Sequence, residues 1–225
     1  MKRLLPLIAV FCFSILAIRP IFSSGYFPMH DDTQVARVIT MGRSLSEGQF
    51  PVRMVADLGF GYGYPIFNFY GPLPYYFGGT LYAFGVPALL ATKIMFAVGI
   101  ILPAMTLYAV VSGMLGVPAA VVSSLLYIYA PYHAVQIYVR GAVGEYWILS
   151  FWPLILYALA GRAKAPLAYR RILIGGIGVA GAVLTHTLLG YVTVFFLVAG
   201  LLVYWLIRIM KRTFAVSAFA SHMST

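Results

Sequence analysis

Long apolar runs broken by short polar stretches dominate the chain. Residues 4–22, 87–114, 117–137, 146–160, 172–190 and 191–207 each read as a membrane-crossing helix, several of them short or interrupted by glycine. A crossing needs about 20 apolar residues. Met1-Lys2-Arg3 followed by an apolar run also fits a signal peptide. The run exceeds the ~7–15 residues of such a leader, however, and no Ala-x-Ala-like site follows it. It reads as a retained first span with a cytoplasmic N-terminus.

Residues 23–86 depart from this pattern and read as one large loop on the outer side. Within it, residues 33–47 carry Val35, Val38, Ile39, Gly42 and Leu45 at the spacing of one helix face. Asp31 or Asp32 is the expected N-cap and Gly48 the stop. Arg37, Arg43 and Glu47 lie off the apolar face, so the expected element is an amphipathic helix on the membrane surface, apolar side down. Glycines and prolines then dominate residues 59–74. Gly59-x-Gly61-x-Gly63 has no βαβ context and is not a dinucleotide fingerprint. Tight turns, with tyrosines such as Tyr64 and Tyr70 at the headgroups or packed on sugar faces, are the expected use.

Residues 72–86 are apolar but too short to cross, and contain Gly78, Gly79 and Gly85. Counting crossings decides how to read them. If they do not cross, Lys2 and Arg3, then Arg162, Lys164, Arg170 and Arg171, then Arg208, Lys211 and Arg212 all fall on the cytoplasmic side. If they cross, the last two groups move outside, against the cytoplasmic bias of Lys and Arg. The expected architecture is therefore an all-α polytopic bundle of about six spans, with a large first outer loop holding amphipathic juxtamembrane helices. Residues 1–212 form the membrane module, and 213–225 a tail or the start of a further span.

Composition agrees. The chain is 62% hydrophobic and only 9% charged, against about 25% charged in soluble domains. The net charge of +10 sits in the breaks between apolar runs, which reads as topology and not as a nucleic-acid surface. Cys12 is alone, which leaves no disulfide or metal framework. The expected setting is the plasma (inner) membrane, with the bilayer as partner and the first loop extracytoplasmic.

In this topology all five acids, Asp31, Asp32, Glu47, Asp57 and Glu145, face outward. Arg140, Lys93 and His186 lie at the outer ends of spans. Capping accounts for one carboxylate of Asp31-Asp32 but not for the pair. Two adjacent carboxylates at a membrane surface can bind a divalent cation such as Mg or Mn, serve as a general base, or both. Lys93 and Arg140 either snorkel to headgroups or meet an anionic group. Arg140 and Glu145 either pair with each other, or Glu145 assists the aspartates. His186 reads first as a hydrogen-bonded packing residue. A lipid-linked sugar phosphate would suit this set: a carboxylate takes the acceptor proton, and the cations stabilise the departing phosphate.

These residues resemble the GT-C superfamily of polytopic glycosyltransferases that use polyprenyl-phosphate-linked sugars. The blocks from His30 to Gly79 (HDDTQVARVITMGRSLSEGQFPVRMVADLGFGYGYPIFNFYGPLPYYFGG), from Ala130 to Trp147 (APYHAVQIYVRGAVGEYW) and from Leu184 to Tyr191 (LTHTLLGY) look like the bacterial and archaeal membrane family labelled 6-pyruvoyl-tetrahydropterin-synthase-related. The resemblance implies that Asp31 is the first-loop acid of catalysis or metal binding and Asp32 its neighbour. It implies that Glu145 is a second outer acid and that Lys93 faces the lipid phosphate. Such enzymes are much longer, so the chain reads as an N-terminal module whose C-terminal part would be a partner. A transporter or flippase of lipid-linked glycans, and a non-enzymatic membrane fragment, are the rival expectations.

Overall fold

The computed structural model describes residues 4–26, 28–160 and 165–223. The basic flank Lys2-Arg3, the loop residues Arg162 and Lys164, and the last two residues of the tail lie outside the described residues. The chain divides into two compact units, Met1–Gly190 and Tyr191–Thr225. Among the described residues the structure is helical apart from one antiparallel bridge between Val55 and Tyr64.

In the first unit α1 (Leu4–Ile18) tightens at Arg19-Pro20 into a 3-10 turn, Arg19–Phe22. The segment 23–86 supplies α2 (Gln34–Ser46), α3 (Ile66–Phe69) and α4 (Leu73–Ala83). Then come α5 (Ala88–Met114), α6 (Val117–Ile128), α7 (Pro131–Ala134) with a π-helical stretch Val135–Arg140, α8 (Val143–Trp147), α9 (Trp152–Leu159) and α10 (Ala165–Thr185). α11 (Thr187–Met223) begins in the first unit and forms the second.

Leu4–Phe22, Ala88–Met114 and Thr187–Lys211 are long and apolar enough to cross a membrane, each with mean hydropathy 2.3. The chain is a membrane protein with these three candidate spans. Of the other three expected spans, 172–190 falls mostly in α10, a helix of 21 residues that ends at Thr185, and the remaining two are shorter or interrupted. The run 117–137 leaves the α-helix at Ile128 because Pro131 disfavours helical backbone just before it. The run 146–160 is divided among α8, a 3-10 turn at Ile148–Ser150 and α9, which starts at Trp152-Pro153. α4 has 11 residues. At about 1.5 Å per residue it reaches roughly 16 Å, half of a hydrocarbon core of about 30 Å.

The turn expected near Gly190 falls four residues earlier, between Thr185 and Thr187. Gly190 serves close packing instead: a Cβ there would stand 2.6 Å from Val183 Cα, on the end of the preceding helix. The weakly patterned stretch 213–223 continues α11 as helix.

α5 is the axis of the first unit. Ala91, Met95, Phe96, Ala97, Ile100 and Ala104 are buried along it, with α1, α4 and α6 against it. α2 crosses α4 at glycines. A Cβ on Gly42 would stand 2.6 Å from the Gly79 carbonyl oxygen, and one on Gly79 would meet Met41 Cγ at 2.5 Å. This contact hangs α2 on α5, since α4 in turn packs on α5.

Candidate functional site

α2 begins after Thr33, and neither aspartate caps it. The Asp31 carboxylate turns instead into a closed ring of hydrogen bonds. Gln34 Nε2 donates to Asp31 Oδ2 at 2.8 Å, and Arg37 Nη1 donates to the same oxygen at 3.1 Å. Arg37 Nη1 also donates to the Tyr75 hydroxyl at 3.0 Å, which donates on to Gln34 Oε1 at 2.8 Å. A fifth contact is Thr33 Oγ1 donating to Asp31 Oδ1 at 2.9 Å.

This corrects the amphipathic assignment of α2 at Arg37, while Val38 and Gly42 are buried and Arg43 and Glu47 exposed as expected. Gln34 and Arg37 are inside, with Val38 and Met41, while Val35 and Ile39 are only half-buried. A guanidinium that is 7% exposed is tolerable there because Asp31 supplies the counter-charge and two aromatic rings cover it. The Tyr70 ring centroid lies 4.2 Å from its carbon and the Tyr75 centroid 5.9 Å. Burial works against the charged form of Arg37, but Tyr75 and Asp31 outweigh it and keep the group firmly protonated. Asp32 is exposed, and both aspartates lie near Tyr26, whose hydroxyl is pushed up by burial and then by their charge.

A second polar corner is built from α7 to α8. Arg140 forms a bidentate pair with Glu145, Nη1 to Oε2 and Nη2 to Oε1, each at 2.7 Å. Gln136 donates to Glu145 Oε2 and accepts from Arg140 Nη1 at 2.7 Å, and the Tyr132 hydroxyl reaches Oε2 at 3.3 Å. The π-helical winding carries Gln136 and Arg140 to this corner. Burial alone raises the Glu145 carboxyl, but the bonds from Arg140, Gln136 and Tyr132 outweigh it and hold the group below the ordinary glutamate value.

Backbone joins the two corners. The His30 and Asp31 amides donate to the Val139 and Arg140 carbonyls, both at 2.9 Å, and Gln34 Nε2 donates to the Gly141 carbonyl at 2.8 Å, 107 residues away. Gly141 is required: its φ is +67°, and a Cβ would clash with Met29 Sδ and lie 3.0 Å from the Asp31 carbonyl oxygen.

The structure thus brings together Asp31, Arg140, Glu145 and Tyr70. Lys93 is held by the backbone. It is buried at 6% exposure, and its Nζ donates to the Ser23 carbonyl at 2.6 Å. Among the described residues it makes no hydrogen bond or ion pair with Asp31, Asp32 or Glu145. His186 marks the break between α10 and α11, and its Nδ1 accepts the Leu189 amide at 3.2 Å, capping α11. It also packs on the Glu145 turn, since a Cβ on Gly144 would lie 3.0 Å from its Cδ2. Tyr64 is committed to the bridge with Val55, and its ring stacks on Phe69 at 6.2 Å.

Arg37 already occupies Asp31 Oδ2, and among the described residues no three His, Cys, Asp or Glu side chains converge. Gln34, Arg37, Tyr75, Gln136 and Tyr132 escaped the sequence reading. The signal for two of them was present: Gln34 and Arg37 stand three residues apart, one helix face continuing from Asp31. Compared with protein-family models, curated proteins and solved structures, the chain has no match.

Proposed function

We propose that this chain is an integral membrane glycosyltransferase of GT-C type, or its N-terminal module, acting on a polyprenyl-phosphate-linked sugar at the outer face of the plasma membrane. In this reading six spans cross, the N-terminus is cytoplasmic, and residues 23–86 are extracytoplasmic. The observation that carries it is the pairing of His30-Asp31 with Val139-Arg140, which joins two outer segments far apart in the chain. Asp31 takes the proton of the acceptor hydroxyl through Oδ1, which bears only the Thr33 contact. The acceptor oxygen bonds to the sugar as the sugar–phosphate bond breaks. Arg140, about half exposed, meets the departing phosphate. Glu145 orients Arg140, Tyr70 covers the Arg37 guanidinium beside Asp31, and His186 packs on the Glu145 turn. Because Arg37 neutralises Asp31, no step is routed through a metal.

The test is release of polyprenyl phosphate from lipid-linked sugars by membranes carrying the full chain. Asp31→Asn should abolish release while leaving membrane expression unchanged. Undiminished release from that variant would overturn the assignment.

One observation favours a non-enzymatic scaffold: both Asp31 and Glu145 are already engaged in ion pairs within the chain. Under that reading Asp31→Asn lowers thermal stability, and the unaltered protein releases no polyprenyl phosphate from any lipid-linked sugar offered.

A further inference from the structure

The loop of residues 55–64 carries a feature that neither polar corner uses. Its ends are closed by the bridge between Val55 and Tyr64, whose amides each donate to the other's carbonyl, at 3.1 and 2.9 Å. Two more backbone bonds tighten the turn. The Tyr62 amide donates to the Gly59 carbonyl at 3.1 Å, and the Gly63 amide to the Leu58 carbonyl at 3.0 Å. Phe60 and Tyr62 stand at the tip, and both are fully exposed. Phe60 has a φ of +59°, a left-handed backbone that a side chain adopts only at a cost. Glycine would hold the same backbone freely, so the ring is what position 60 adds.

The neighbouring contacts set this loop at the end of a candidate span. The Tyr64 ring stacks on Phe69 at 6.2 Å. The Phe69 carbonyl in turn accepts Thr187 Oγ1 at 2.9 Å, and Thr187 is the first residue of the span Thr187–Lys211. At about 3.6 Å per residue at most, Phe60 lies within roughly 14 Å of Tyr64. The headgroup zone of a bilayer, about 5–8 Å thick on each side, is therefore in reach of the tip.

Three kinds of occupant compete for exposed rings, and size and chemistry separate them. A specific protein partner needs about 800 Å² from each side, whereas two such rings bury about 300–500 Å². A sugar is oriented by polar side chains converging beside the aromatic, and residues 59–63 offer only the Tyr62 hydroxyl. A bilayer asks for neither. It accepts Phe at the hydrocarbon edge and Tyr among the headgroups. Residues 58–65 include no Lys, Arg, Asp or Glu, so no charge is drawn in with the rings.

We propose that the 58–63 turn is a membrane anchor, which inserts Phe60 and Tyr62 into the bilayer interface at the Thr187 end of the span. The anchor is separate from the proposed transfer reaction and does not depend on it.

The test is nitroxide depth measurement on the full chain in phosphatidylcholine nanodiscs. In a Cys12→Ser background, Phe60→Cys and Tyr62→Cys each receive one spin label and leave the other ring in place. Oxygen concentrates in hydrocarbon and a nickel chelate in water. Oxygen should relax the label at position 60 more than the chelate does, with a smaller excess at position 62. Ser46→Cys, beside the exposed Glu47, is the aqueous reference, where the chelate should dominate. Phe60→Asp should reverse the ratio at the Tyr62→Cys label to that of the reference. Phe60→Gly should do the same while leaving the unfolding temperature unchanged, which separates loss of the anchor from loss of the fold. Chelate dominance at both tip positions, or a Tyr62→Cys ratio that neither Phe60 variant moves, overturns the proposal.

Discussion

The two carboxylate corners differ in how their partners are gathered. Around Glu145 every partner is local: Tyr132, Gln136 and Arg140 come from the same turn, and Arg140 is about half exposed. Around Asp31 the partners come from α2, α4 and the 139–141 backbone, and the cation is buried. Water can reach the cation at the first corner, whereas at the second the cation is buried and only the carboxylate meets solvent. The same pair of charges is therefore a surface detail in one place and a structural joint in the other.

The largest effect should follow Arg37→Leu. It leaves Asp31 unpaired and takes the Arg37 donor from the buried Tyr75 hydroxyl, and breaking a buried pair costs about 3–5 kcal/mol. Thermal unfolding in nanodiscs should show a large drop. A fall no greater than that of Arg140→Leu would erase the contrast between the corners. Next comes Gly79→Val, which drives side-chain carbon into Met41 and Gly42 at the α2–α4 crossing. Overpacking of this kind costs about 1–3 kcal/mol. Faster proteolysis of the outer segment should report it, while α1 and α5 stay protected.

Arg140→Leu should cost less, about 1 kcal/mol or under, because solvent reaches the pair. The pH dependence sharpens the point. Glu145 is held below its ordinary value when folded, so its contribution is present above the unfolded value of about 4.3 and is lost as pH falls through the folded one. Acid titration of stability should show this arm, and Glu145→Gln should remove it. Smallest of all is Arg43→Ala. Its pair with Asp57 at 2.7 Å is exposed on both sides, and no measurable change in unfolding temperature is expected.

Helices and the spans expected at 4–22, 87–114 and 191–207 were legible in the sequence because hydrophobic length is a local property, readable without knowing what packs where. So was the shortness of the apolar stretch 72–86, whose helix has 11 residues. The break at His186 was not, because what stops the helix there is contact: a Cβ on Gly71 would collide with the Thr185 carbonyl and the His186 amide, and Thr187 Oγ1 donates to the Phe69 carbonyl at 2.9 Å. Asp31, Arg140 and Glu145 could be named from the sequence as outward acids and a basic partner. Lys93 was grouped with them on topology alone, yet it holds the Ser23 carbonyl.

By itself, then, the sequence determined an apolar helical chain whose acids gather on a few short segments, since lipid-compatible composition and charge spacing are written residue by residue. Only the tertiary structure decided that Arg37 and Gln34 face inward and that Tyr75 meets them from another helix. It also decided that residues 30–31 lie against 139–141. The physical reason is that a buried polar group is stable only when all its partners arrive together, and those partners are spread across the chain where no local pattern records them.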